Sequence, residues 1–183
     1  MVDGAPSQGR VVRYWDLAAT EPAPGKDPAY TAGVKVLEQD GQYWIMDVVR
    51  TQATPKNVEN LIHQTAMIDG KGVEIWMEQE PGSSGVNTID HYRRQVLKGF
   101  AFYADKVTGN KELRANPLSS AAEAGNVFLI SGDWNGDFLD EAAGFPYGKK
   151  DQVDAASAAY SKLHEIKDQR FAVKPTIAGF KRR

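Results

Sequence analysis

The chain has 183 residues, 42% hydrophobic and 25% charged, which suits one globular domain with a buried core and not a disordered tail. The lack of cysteine excludes disulfides, cysteine-ligated zinc and a thiol nucleophile, and three widely spaced histidines argue against a histidine-rich metal site. Net charge is −2 and neither requires nor excludes a nucleic-acid partner, while no apolar run reaches the roughly 18 residues of a membrane helix and no secretory leader is visible, so no membrane role and no secretion are expected.

Residues 1–10 are small and polar and read as a linker or an appended end. Residues 11–171 read as one domain and residues 172–183 as a basic tail that finishes in Lys181-Arg182-Arg183. Residues 11–16 alternate as a strand, with Val12, Tyr14 and Asp16 on one face and Val11, Arg13 and Trp15 on the other. After a Pro/Gly-rich loop come two β-branched and aromatic runs, 31–38 and 42–50. The Asp40-Gly41 pair between them predicts a hairpin. Thr54-Pro55 opens a helix, threonine as cap and proline at the first helical position, with Val58, Leu61, Ile62 and Thr65 forming its buried stripe.

Residues 73–78 predict the next strand, closed by a Pro81-Gly82-Ser83-Ser84-Gly85 loop, and a helix is expected over 86–98. A short strand is predicted at 100–104 and a helix at 110–124, ended by Gly125 and open to a kink at Pro117. A strand at 127–130, a short helix near 135–143 and a long helix from Asp151 complete the chain. Three antiparallel strands followed by strands alternating with helices imply an α/β domain, a mixed sheet in which an antiparallel meander is continued by parallel strands and flanked by helices.

Three acidic positions stand out by placement. Asp16 and Glu78 each close a strand, and Asp151 and Asp154 open the last helix on one face of one turn. Carboxylates at strand ends, met by more on a helix, repel one another unless a cation joins them. Oxygen-only ligands suit Mg²⁺ or Mn²⁺, and a pair of such ions is the usual apparatus for in-line phosphodiester hydrolysis. Each acid alone has a simpler role open to it: a turn former at a strand end, or a helix cap at Asp151.

Five ordered segments carry a family resemblance. Arg13-Tyr14-Trp15-Asp16-Leu17-Ala18, the run from Ile75-Trp76-Met77-Glu78 to Gly85, Lys111-Glu112-Leu113-Arg114-Ala115, Trp134 with Phe138 to Glu141 and Phe145-Pro146, and Lys150-Asp151-Gln152-Val153-Asp154 together resemble the nuclease domain of large terminase subunits of tailed bacteriophages. The resemblance spans residues 10–163. It implies a ribonuclease H-like fold and a metal-dependent endonuclease that cuts concatemeric double-stranded viral DNA during genome packaging, with two Mg²⁺ or Mn²⁺ ions. It assigns Asp16, Glu78 and Asp151 as catalytic and metal-holding acids, with Asp154 as a further ligand. The implied partners are double-stranded DNA, the ATPase domain of the same polypeptide, the small terminase subunit and the portal, at the assembling capsid in the host cytoplasm.

Two departures stand out. Lys150 occupies a place that is often acidic in the family, and Glu80 is an alternative second carboxylate to Glu78. Glu78 is favoured because it ends the apolar run, whereas Glu80 precedes Pro81. No G-x-x-x-x-G-K-[ST] motif occurs, so ATP hydrolysis is not expected of this chain. Lys111 and Arg114, in a matching segment, with Lys106 and Arg93, are candidates for DNA backbone contact. Ser83 and Ser84 lack a paired histidine nearby and are not expected to be nucleophiles. The rival readings are a junction resolvase or ribonuclease H of the same fold, and a non-catalytic DNA-gripping module.

Overall fold

A computed structural model of the chain describes residues 1–18, 23–107 and 110–171, without the side chains of Lys111 and 166–171. The predicted basic tail, 172–183, lies outside the described residues. The elements are β1 (Arg10–Asp16), β2 (Thr31–Gln39), β3 (Gln42–Thr51), α1 (Pro55–Asp69), β4 (Glu74–Glu78), α2 (Gly82–His91) running into a π-helical turn (Tyr92–Val96), β5 (Phe102–Asp105), α3 (Lys111–Glu123), β6 (Val127–Leu129), α4 (Asn135–Gly144) and α5 (Asp151–Phe171).

The sheet has the order β5-β4-β1-β2-β3-β6. Strands β1, β2 and β3 form the expected antiparallel meander, while β4 joins β1, β5 joins β4 and β6 joins β3 in parallel. Asp40 and Gly41 turn the β2–β3 hairpin with φ of 53° and 85°, the left-handed pair that a tight hairpin requires.

Strand alternation divides the core into two halves. Val12, Tyr14, Val34, Val36 and Ile45 pack under α5, whose Ala155, Ala156 and Ala159 are fully buried and let the helix lie close to the sheet. Trp15, Ile75 and Met77 point to the other face, against Val58, Ile62 and Ala66 of α1 and Ile89 of α2. A charged cluster is embedded on that second face. Arg13, Lys35 and Asp47 are register partners across β1, β2 and β3. Asp69, the last residue of α1, accepts from Arg13 Nε at 2.7 Å and from Lys35 Nζ at 2.8 Å.

Several boundaries differ from expectation. Helix α2 begins at Gly82, so the Gly/Ser stretch expected as a loop is its first turn. Pro81, extended at ψ 148°, sets the entry, and a Cβ on Gly85 would stand 2.0 Å from the Glu80 carbonyl oxygen, so only glycine lets the helix start this close to β4. Strand β5 runs to Asp105, one residue beyond the predicted end. Within the stretch read as a linker, Val2 donates its N–H to the Leu129 carbonyl at 2.9 Å and accepts from the Ser131 N–H at 3.1 Å, which extends the β6 edge.

Candidate functional site

The parallel pairing of β1 with β4 aligns Trp15 with Met77, and the next residue in each strand is Asp16 and Glu78. Glu78 in turn is the register partner of Asp105 on β5. Three neighbouring strands therefore end in three carboxylates, on the face that alternation gives to Tyr14 and Trp76, the face that α5 covers. Tyr14 reports how closely they converge. Its hydroxyl donates to Asp105 Oδ2 at 3.0 Å. Burial, then the charges of Asp105, Glu78 and Asp16, push the phenol far above its usual range.

Helix α5 brings Asp151 and Asp154 to this face. The first-turn N–H groups of a helix need acceptors, and Asp151 does not supply those of Gln152 and Val153. Glu141 of α4 does: its buried carboxylate accepts the N–H of Gln152 at 2.6 Å, the N–H of Val153 at 2.9 Å and the Gln152 side-chain amide at 2.8 Å. The simple helix-cap role for Asp151 is thereby taken by another residue. Asp151 Oδ2 instead accepts the backbone N–H of Tyr30 at 2.8 Å. Asp154, one turn on and buried, lines a cleft of about 370 Å³ together with Asp105, Lys106, Arg114, Ser161 and Lys162.

Basic groups balance these acids. Arg114 reaches Glu78 at 3.7 Å, a charge contact longer than a hydrogen bond, and its buried Nε finds no acceptor among the described residues. Lys162 bonds Asp105 at 2.8 Å and sits 5.2 Å from the centre of the Trp76 ring. Lys150 pairs with Glu112 of α3 at 3.9 Å.

The oxygen-only donors and their shared negative field fit a hard divalent cation. In the side-chain arrangement described, no set of three or more acidic or histidine groups among the described residues is gathered tightly enough to enclose one. The acids are drawn apart onto Arg114, Lys162 and the Tyr30 amide, contacts a divalent ion would compete with.

Asp16, Glu78, Asp151 and Asp154 lie along one side of the sheet without gathering, among the described residues, into a set that encloses an ion. Glu80 lies past the strand end and is exposed. Arg93 stacks over Phe102 at 5.7 Å on the opposite face, so the sheet separates it from the cleft. Lys111 opens α3, but its side chain lies outside the described residues. Sequence reasoning missed Asp105, Lys162 and Glu141. Asp105 had a signal, since it closes its apolar run as Asp16 and Glu78 close theirs. Lys162 falls three helical turns beyond Asp151, a position that no local pattern marks.

A family model described as the terminase RNaseH-like domain matches residues 13–163. The fold is similar to the human cytomegalovirus terminase nuclease domain in a manganese-soaked, inhibitor-bound structure, at 15% identity and a TM-score of 0.63, covering 88% of this chain and 86% of that one. It is similar to the large terminase nuclease of thermophilic phage G20c with bound zinc, at 18% identity and a TM-score of 0.64, with 88% and 86% covered. Similarity to the large terminase of another thermophilic bacteriophage, at 12% identity and a TM-score of 0.64, covers 91% of this chain and 42% of that one. A search of curated proteins finds no match.

Proposed function

Because this chain belongs to the family of terminase RNaseH-like domains, we propose that it is a divalent-metal-dependent endonuclease that cuts concatemeric double-stranded viral DNA during genome packaging. The observation that carries this reading is the ending of three adjacent strands in Asp16, Glu78 and Asp105, faced by Asp154 and by Asp151 on α5. The zinc and manganese in the relatives' structures support a divalent cofactor. Asp16, Glu78 and Asp151, with Asp154, would hold Mg²⁺ or Mn²⁺, two ions in this proposal. When bound, such ions supply a strong nucleophile from water at neutral pH and neutralise charge at the leaving oxygen.

The chain's own residues do the rest by position and charge. Asp16 and Glu78 are set by backbone pairing in the sheet, which tolerates little displacement. Arg114, loosely paired with Glu78 and with its Nε lacking an acceptor among the described residues, is suited to receive a phosphate oxygen. Lys162, fixed by Asp105, adds a positive wall to the same cleft. The proposed partners are double-stranded DNA, the ATPase domain of the same polypeptide, the small terminase subunit and the portal, at the capsid in the host cytoplasm. Among the described residues no helix is long and apolar enough to cross a membrane.

Plasmid nicking with Mg²⁺, Mn²⁺ or chelator tests the reading, run beside an RNA–DNA hybrid and a four-way junction. Cleavage of duplex DNA that requires metal is expected. Preference for the hybrid or the junction would instead mark a ribonuclease H or a resolvase, and DNA binding without cleavage a gripping module.

Glu78→Gln should lower nicking by about 100-fold or more, since a metal-holding charge is worth several kcal/mol, while circular dichroism shows the fold intact. Glu80→Gln should keep a substantial part of the activity, because Glu80 lies outside β4 and is exposed. The reverse pattern would move the second carboxylate into the segment after the strand.

Replacing Lys111 and Arg114 together with alanine should weaken duplex binding evenly across sequences and reduce the log–log salt slope by roughly 2, as the loss of two phosphate contacts does. A loss confined to one sequence would mean base reading.

A further inference from the structure

Two of the proposed metal-holding acids lie on different elements, Asp16 at the end of β1 and Asp151 at the start of α5. Residues 27–31 tie those elements together. Thr31 Oγ1 accepts the Ala18 N–H at 2.9 Å and donates to the Ala18 carbonyl at 2.8 Å, two residues past Asp16. Its neighbour Tyr30 donates its backbone N–H to Asp151 Oδ2 at 2.8 Å. Ala18, Thr31, Tyr30 and Asp151 therefore form one continuous strap between the two acids.

The strap is held at its outer end by side chains from β3 and the residue after it and from the segment before α5. Lys149 Nζ lies 4.4 Å from the centre of the Tyr30 ring, and Arg50 Cζ lies 4.7 Å from it. Lys149 Nζ also donates to the Pro28 carbonyl and to Asp27, each at 2.6 Å. Gln52 Nε2 donates to the same two acceptors, at 2.6 Å and 3.0 Å. Arg50 is anchored in turn by Asp137 of α4. Both cations lie against the ring of Tyr30. A cation over an aromatic face is attracted by the ring quadrupole, and two of them fix the ring more firmly than one.

We infer that Tyr30 is a positioning residue for the nuclease reaction: its ring, gripped by Arg50 and Lys149, fixes the backbone N–H that orients the Asp151 carboxylate relative to Asp16. The inference rests on the proposed role of Asp151 as a metal-holding acid. The hydrogen bond engages Oδ2, one of the two carboxylate oxygens, and so restrains how the group can turn. Partners of this outer kind typically contribute 10- to 100-fold to metal affinity.

The test measures Mn²⁺ affinity of the whole chain by calorimetry, with nicking at limiting and saturating Mn²⁺ and circular dichroism as a check on folding. Tyr30→Ala is expected to weaken Mn²⁺ binding by about 10- to 100-fold, and to lower nicking at limiting metal more than at saturating metal. Tyr30→Phe, which keeps the ring, should restore both. Lys149→Met, which leaves the ring in place, should weaken binding severalfold and serves if the alanine variant does not fold. Asp151→Asn tests the underlying role separately. If it loses Mn²⁺ binding while folded Tyr30→Ala and Lys149→Met bind as the wild type does, the strap is overturned and the role of Asp151 stands. If Asp151→Asn itself binds Mn²⁺ normally, the ligand assignment fails and the inference falls with it.

Discussion

Asp16→Ala is expected to bring nicking in Mg²⁺ or Mn²⁺ to background, a loss of at least about 1,000-fold, in a protein that still folds. The size follows from removing a proposed metal-holding charge, worth several kcal/mol in the transition state. Folding should survive because Asp16 is the last residue of β1 and belongs to neither hydrophobic core cluster. A second readout separates binding from chemistry. Metal that binds only the folded state raises the melting temperature, by a stabilisation of about 2.7 kcal/mol at 100 times the dissociation constant. The wild type should show that rise at millimolar Mn²⁺, and Asp16→Ala should lose most of it. Near-wild-type nicking by the variant would place the active site elsewhere.

The second large effect is on stability and lies on the other face of the sheet. Asp69→Ala should cost about 3–5 kcal/mol, because it strands a buried guanidinium that the aspartate now neutralises. The side chains of Arg13 and Asp69 are 2% and 1% exposed, and they meet through two hydrogen bonds, Nε to Oδ2 at 2.7 Å and an Nη to Oδ1 at 2.9 Å. Burial raises the Asp69 carboxyl, but the hydrogen bonds and charges of Arg13, then Lys35, outweigh it and hold the group below its usual value of 3.8. A carboxyl lowered in the folded state contributes its full stability above that usual value and loses it as pH falls through the lowered one. Urea unfolding at pH 7 should therefore show the whole difference between wild type and variant, and the difference should shrink below pH 3.8. The double change Arg13→Met with Asp69→Leu should recover part of the loss, since it removes the buried pair together and leaves charge only on the more exposed Lys35 and Asp47, which are register partners. A cost below about 1 kcal/mol for Asp69→Ala at pH 7 would show that Arg13 is satisfied by Asp47 and the Gly33 carbonyl alone.

Much of the architecture and part of the site were legible before any coordinates. Alternation along 11–16 separated Asp16 from Trp15, and the two residues do face opposite halves of the core. The Asp40-Gly41 turn and the Thr54-Pro55 helix start form as their local chemistry demands, with Thr54 accepting the Asn57 N–H. Glu78 ends its strand as its apolar run implied, and Glu80 falls outside it. The segment after β4 was misjudged because Gly and Ser usually signal a loop, whereas here Gly85 meets a steric demand set by the Glu80 carbonyl inside a helix.

Local periodicity by itself determined the element types, the meander and the acids that close β1 and β4, because those signals come from neighbours two to four residues apart. Only the tertiary structure decided which groups meet. Asp105 reaches Glu78 because β5 takes its place beside β4, and Arg13 finds Asp69 at a separation of 56 residues. Glu141 caps α5 from another helix, and Asp151 is oriented by Tyr30 at a separation of 121 residues. Such contacts depend on strand order and on which face each helix covers. Burial and backbone pairing settle these over the whole chain, so no window of sequence contains them.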